Sequence, residues 1–413
     1  MDPQPLPRLT TAQAAARLRI RPATLYSYVS RGLIRSRRAE DGGSTFDALE
    51  VEELAARRRG PAGRGAPGST GGASGTPLMV LDSDITLIRG DELYFRGRPA
   101  RELAEQLSFE QAVGVLWRQP GLPRPFAGDH SIVDAARRAS GPLGDHARLV
   151  DRLSLAVIVA GSHDPLREDL SEAVVLEAGR RTIATMVGTL PLRGAPPAAD
   201  ASLAARLWAA LSPAPPSEAD LALLDGALIL CMDHDLAAST MAARIAASAR
   251  AHPYAAVAAA LGAFDSGLHG SASVAAHEML SHAIASGEPE RAVAAQLAKG
   301  RGIPGFGHRV YRNRDPRAQH LFGRMRAQRR YAPAAASADL IAAVVAERVQ
   351  RPANLDLALA ALAIGAQMPP DAGQLVFAIG RTAGWIAHIA DEYGREPLRL
   401  RPRSRYTGRE PVG

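Results

Sequence analysis

Between Gly60 and Pro77 the chain reads GPAGRGAPGSTGGASGTP, a run of Gly, Ala, Pro, Ser and Thr with one Arg and nothing to bury. Such a segment predicts a flexible linker, so residues 1–59 and 78–413 each have to build a core of their own. With 413 residues, 46% hydrophobic and 22% charged, the chain holds enough apolar material for two or three domains. A single cysteine, Cys231, excludes an internal disulfide framework and fits a reducing compartment. The start, Met1-Asp2-Pro3-Gln4-Pro5, lacks the charged-then-apolar layout of a signal peptide. No stretch supplies the roughly 18 consecutive apolar residues of a membrane span. The expectation is a cytoplasmic protein.

The formal net charge is +7, which suits nucleic acid or small polyanions such as phosphates and carboxylates. Lys299 is the only lysine, so the abundance of Arg reflects composition and identifies no site by itself. Its distribution is uneven: residues 1–60 hold 11 Arg against 7 acids. In this part Thr10 or Thr11 caps a helix through Leu18, and Pro22 opens a second helix that carries Leu25, Tyr26 and Val29 and stops at Gly32. Leu33-Ile34, Arg35-Ser36-Arg37-Arg38, a Gly42-Gly43 turn and Thr45-Phe46 read as a small hairpin. Asp47 is expected to cap a third helix with Glu50 as its reciprocal partner, and Phe46 and Val51 are spaced as a hydrophobic staple. Residues 8–58 thus resemble the winged helix-turn-helix of the MerR and excisionase type. That resemblance implies duplex DNA as a partner, with Thr24, Tyr26, Ser27, Tyr28 and Arg31 facing a major groove and Arg35, Arg37 and Arg38 facing phosphates. The alternative is a packing or oligomerisation module with a solvated basic face.

After the linker, MVLDSDITLI and ELYF flank Arg89-Gly90-Asp91 as in a hairpin. Ala and Leu then recur at helical spacing through 102–117, 146–160, 169–188, 217–248, 253–263, 271–285, 335–349, 356–366 and 371–391. The fold class expected is mainly α.

Chemistry concentrates in Gly305-Phe306-Gly307-His308-Arg309-Val310-Tyr311-Arg312-Asn313-Arg314-Asp315-Pro316-Arg317. Two glycines admit a ligand close to the backbone, a histidine follows, and four arginines lie within the last nine residues. Such a run suits a phosphorylated or carboxylated ligand. It resembles the citrate synthase family signature, Gly-aromatic-Gly-His-x-Val-x-Arg/Lys-x-x-Asp-Pro-Arg, at every defining position. Further segments stand in the family's order: Tyr94-Phe95-Arg96-Gly97, Asp233-His234-Asp235 through Ser239-Thr240, Leu268-His269-Gly270, Phe377-Ala378-Ile379-Gly380-Arg381-Thr382-Ala383-Gly384-Trp385, and a C-terminal Arg401-Pro402-Arg403. The resemblance covers about 78–408. It implies large and small helical domains, the small one spanning about 271–372 and closing on the large one to exclude water.

The activity so implied is condensation of acetyl-CoA with oxaloacetate and water to citrate and CoA, with acetyl-CoA a substrate and no separate cofactor. By resemblance, Asp356 of Asn354-Leu355-Asp356 is the base, His269 hydrogen-bonds the thioester oxygen and His308 polarises the oxaloacetate carbonyl. His234, Arg317, Arg381 and Arg401 would hold substrate carboxylates, Arg401 reaching in from the other subunit of a homodimer. Gly305, Gly307 and Arg312 would meet CoA. No metal is expected, because no ligand cluster has suitable spacing. The sequence departs from the family pattern in Ser271-Ala272-Ser273, where an Asn is lost, and in Leu357-Ala358-Leu359-Ala360, expected to form a smaller, more apolar pocket wall beside the base. Those departures keep two alternatives open: a 2-methylcitrate synthase using propionyl-CoA, and a DNA-binding regulator whose citrate synthase-like domain senses ligands.

Overall fold

The structure is a computed structural model, and it describes residues 8–18, 20–39, 42–48, 50–51, 54, 81–121, 126, 128–144, 146–267, 269–299, 302–308, 310–311, 313–347, 351–400 and 408. The expected linker at 60–77 lies outside them.

At the N-terminus the helix Thr11–Leu18 begins after Thr10, whose backbone N–H and hydroxyl exchange hydrogen bonds with Gln13, a reciprocal cap. Pro22 opens the helix Pro22–Ser30. That helix ends where Gly32 takes a left-handed φ of 68° and the Gly32 and Leu33 amides return to Val29 and Tyr28. Strands β1 (Arg8–Thr10), β2 (Ser36–Arg38) and β3 (Ser44–Asp47) form an antiparallel sheet in the order β1-β3-β2. Ala14, Ala15, Leu18, Leu25, Ile34, Phe46, Val51 and Leu54 make a separate small core. Tyr28 is half-buried and packs against this core. The Glu50 carboxylate accepts from the amide and the guanidinium of Arg35.

Strands β4 (Thr86–Arg89) and β5 (Glu92–Phe95) form the expected hairpin, continued by β6 (Arg98–Pro99). Its turn has Gly90 and Asp91 both at positive φ, as a two-residue type I′ connection requires. The chain then divides into two compact units. One gathers Ile85–Ile88, Leu93–Gly270 and Leu375–Gly413. Its helices enclose Trp208, Trp385, Tyr254, Phe109, Phe126 and Phe264, all fully buried. Two stretches expected to be single helices are each broken. Ser108 and Gln111 form a capping box that starts Phe109–Leu116 afresh after Ala100–Gln106. Residues 232–237 turn the chain between Glu218–Cys231 and Ala238–Ser248, with Asp235 at φ 54°.

The other unit comprises Met1–Asp84, Arg89–Glu92 and Ser271–Gln374. Its helices Ala272–Ser286, Pro289–Ala298, Pro316–Arg326, Ala332–Ala346 and Leu355–Gly365 pack around Met279, Leu280, Ile341, Leu357 and Leu362. Leu357, Ala358, Leu359 and Ala360 are buried throughout. Among the described residues no helix is long and apolar enough to cross a membrane.

Candidate active site

In the Ser271–Gln374 unit the glycine-rich loop is laced to the start of the helix Leu355–Gly365. The Asn354 amide donates to the Gly305 carbonyl at 2.9 Å, and the Gly307 amide donates to Pro352 at 2.8 Å. Phe306 bridges Ala353. Gly305 sits at φ 81°, and a Cβ there would lie 2.8 Å from the Leu357 Cβ, so both backbone and space demand glycine. Asn354 does two jobs with one side chain: Nδ2 holds the Gly307 carbonyl at 2.9 Å and Oδ1 caps the helix by accepting from the Asp356 amide at 3.0 Å. The loop bearing His308 and the helical turn bearing Asp356 are thereby fixed side by side.

Asp315 ties the next element in. Its carboxylate accepts from the Arg317 amide, from Arg317 Nε and Nη2 at 2.9 and 2.8 Å, and from the Leu355 amide at 3.1 Å. One side chain therefore caps two helices and grips the Arg317 fork. Burial pushes Asp315 upward, but the Arg317 charge and hydrogen bonds outweigh it and hold the carboxyl below its ordinary value. Arg317 also lies over the Tyr311 ring at 5.3 Å. Among the described residues Asp356 has no such donor set. Burial pushes it up to about 6, with Arg317 pulling down and Asp315 pushing up.

His308 Nδ1 accepts the amides of Val310 at 3.0 Å and Tyr311 at 3.3 Å. A nitrogen that accepts carries no proton, so the neutral ring has its N–H on Nε2. The outer end of the loop is held by the hairpin tip: Asn313 donates twice to Asp91, and Arg314 pairs with Glu92 at 3.1 Å.

In the Leu93–Gly270 unit a second constellation surrounds the turn 232–237. His269 Nε2 lies 2.8 Å from the Ser239 hydroxyl, which accepts from the Trp385 indole N–H at 3.3 Å. Ser239 has one proton and two lone pairs, so it can receive the indole and still donate to Nε2, the arrangement in which the His269 N–H stands on Nδ1. Burial, then the Arg381 charge, pushes His269 down to about 4, so it is neutral across the physiological range. Its ring packs edge-on to Phe264 at 5.1 Å and Phe377 at 5.9 Å. Arg381, fully buried, donates from Nε to the Cys231 carbonyl at 2.8 Å and lies over Phe377 at 4.8 Å. Gly384 lets the helix Ala372–Tyr393 press onto the turn, since a Cβ there would sit 2.1 Å from the Met232 carbonyl. His234 is buried on that turn, next to Asp233.

Arg312 and Arg401 lie outside the described residues. Within the first unit Gly305, Gly307, His308, Arg317 and Asp356 are gathered on one loop and two helix starts. Within the second, His234, His269 and Arg381 gather around one turn. Sequence reasoning did not assign roles to Asn354, Asp315, Ser239, Trp385 or Asp233. All five stand inside the quoted motifs, and only their tertiary partners reveal what they do.

A family profile described as citrate synthase, C-terminal domain, matches residues 72–403. The chain is 30% identical over 363 residues to a citrate synthase of Haloferax volcanii, spanning 80% of this chain and 94% of that one. It is 30% identical over 359 residues to a 2-methylcitrate synthase of Mycobacterium tuberculosis, spanning 78% and 86%. The crystal structure of citrate synthase from Thermotoga maritima superposes with a TM-score of 0.64 at 27% identity, covering 81% of this chain and 95% of that chain. The chain belongs to the citrate synthase family.

Proposed function

We propose that the protein condenses acetyl-CoA with oxaloacetate and water to give citrate and CoA. The observation that carries this reading is the family match over residues 72–403, which spans Asp356, held on its helix start by Asn354 beside the His308 loop, and His269, held by Ser239 in the other unit. A methyl group beside a thioester is a weak acid. A carboxylate removes its proton only if the enol(ate) is stabilised as it forms, and a base close to neutral pH is the best match. Asp356 takes the proton. Nδ1–H of His269 donates to the thioester oxygen while charge builds there. Nε2–H of His308 donates to the oxaloacetate carbonyl oxygen, which becomes the alcohol as the new carbon–carbon bond forms. Water then cleaves the thioester and releases CoA.

Arg317, Arg381 and His234 are assigned to the oxaloacetate carboxylates, because a planar, permanently charged fork suits bidentate contact. The backbone at Gly305 and Gly307, with Arg312, is assigned to CoA. Arg401 is assigned to the substrate of the partner subunit, which makes the functional species a homodimer in the cytoplasm. These groups suffice for the reaction without a metal or prosthetic group. Similarity to a 2-methylcitrate synthase favours one second reading, with propionyl-CoA as the acyl donor. Comparing kcat/KM for the two thioesters separates the readings: a ratio above one for acetyl-CoA supports citrate formation, and a ratio below one supports 2-methylcitrate.

We also propose that residues 1–59 are a winged helix-turn-helix that binds duplex DNA. Tyr26, Ser27, Arg31, Arg37 and Arg38 are exposed and Thr24 is half-buried, which supports contact through the helix Pro22–Ser30 and strand β2. Arg35 is exposed but already paired with Glu50, so it contributes less net charge. Salt-dependent binding of the whole protein to duplex DNA tests this. Binding that is undetectable at low salt contradicts it.

A further inference from the structure

Behind the turn that carries His234 runs a row of buried charged groups that the proposed chemistry leaves unused. Asp233 is fully buried, and its Oδ2 accepts from the Thr86 hydroxyl at 2.5 Å and from His388 Nε2 at 3.2 Å. The far side of that imidazole, Nδ1, accepts from Arg244 Nη1 at 2.9 Å. A guanidinium only donates, so the His388 proton must sit on Nε2 and point at Asp233. Arg244 Nη2 reaches Asp391 at 2.8 Å and Glu392 at 2.6 Å. Glu392 in turn accepts from Arg399 Nε and Nη2 at 2.7 and 2.6 Å. Arg244, His388 and Glu392 have almost no exposed surface.

Stability alone does not account for this arrangement. Removing several charged groups from water is expensive, and apolar side chains of equal volume hold a fold as well or better. What apolar packing lacks is direction, which a chain of directed hydrogen bonds supplies even though Asp233 Oδ1 and Arg244 Nε are left without a partner among the described residues. One end of the chain is Asp233, next to His234, on a turn whose preceding Cys231 carbonyl accepts from Arg381. The other end is Arg399, two residues before Arg401 in sequence. The Leu398 amide is also tied to the Ser248 carbonyl at 2.7 Å, so this end too is anchored. Both ends adjoin residues assigned to substrate carboxylates.

We propose that His388 is a positioning residue for oxaloacetate binding: it joins Asp233 to Arg244 and so sets the orientation of the His234 turn relative to the segment that runs on to Arg401. The proposal rests on the citrate synthase reading and goes beyond it, since His388 acts through Asp233 and has no assigned contact with substrate. The test uses the full-length chain with His388→Phe, which keeps a ring but removes both nitrogens, and His388→Gln, which keeps a donor and an acceptor on one planar group. Steady-state kinetics are measured in both substrates, alongside thermal unfolding. His388→Phe is expected to raise the oxaloacetate KM about tenfold or more and to leave the acetyl-CoA KM within about twofold, with His388→Gln within about threefold of wild type on both. If His388→Phe does not fold, Thr86→Val removes the other donor to Asp233 at nearly constant shape and is expected to raise the same KM about threefold. An unchanged oxaloacetate KM in the folded variants, or a uniform loss that follows the unfolding temperature, overturns the positioning role while wild-type turnover leaves the enzyme reading standing. A wild type that releases no CoA removes both.

Discussion

Replacing Asp356 by Asn should make the protein more stable at neutral pH while removing its activity. The carboxyl is raised from 3.8 to about 6, chiefly by burial. Between those values the folded state keeps a proton that the unfolded state has released, so stability falls as pH rises through the window. The full shift corresponds to about 3 kcal/mol above pH 7. This is an upper bound, because solvent reaches part of Asp356 and screens its charge. An amide of the same shape carries no charge to desolvate. Urea unfolding of the two proteins should therefore favour Asp356→Asn by up to about 3 kcal/mol at pH 8, about half that at pH 5 and roughly 0.5 kcal/mol at pH 4. Turnover should fall by roughly 100-fold or more, as expected for loss of a general base. A variant that is no more stable than wild type at pH 8, or a stability gap that ignores pH, would falsify the argument that burial poises this base.

Ser239→Ala removes the hydroxyl that hydrogen-bonds His269 Nε2 and accepts from Trp385; kcat should drop about tenfold or more with little change in the oxaloacetate KM, and wild-type kcat would contradict the assignment. Followed by NMR, the His269 ring should titrate with a midpoint near 4, whereas a midpoint near 6.5 would show that burial does not control it. For the N-terminal module, Arg37→Ala and Arg38→Ala should each lower the salt slope of DNA binding by about 0.9, while Arg35→Ala should act mainly on stability through its lost pair with Glu50. Equal salt slopes for wild type and the Arg37 and Arg38 variants would remove those residues from the interface.

The loop from Gly305 to Arg317 was legible because its glycines, histidine and arginines stand in one uninterrupted order, and that order depends on local backbone needs. Asp315 looked like part of a signature, yet its work is to cap two helices, one of which starts 40 residues later. Ser239 meets His269 across 30 residues, and His388 meets Asp233 across 155. Contacts of that range leave no periodicity to read. Helix limits show the same division. Long Ala- and Leu-rich stretches announced themselves, but in Pro316–Arg326 the apolar stripe is only Ala318, Leu321, Phe322 and Met325, set among three Arg, and it went unread. At Ser108 and at 232–237 continuous apolar spacing concealed a helix end that only a capping box or a positive-φ residue reveals. In the N-terminal module Glu50 meets Arg35 across 15 residues, a pairing that no local pattern announces.

The most direct measurement of the central claim is CoA release by the purified protein supplied with oxaloacetate and acetyl-CoA, compared with Asp356→Ala. The account predicts turnover by the wild type and a loss of roughly 100-fold or more in the variant. Absence of CoA release from both acetyl-CoA and propionyl-CoA, by a folded protein that binds oxaloacetate, would contradict it and make the domain a sensor of the ligands it was taken to convert.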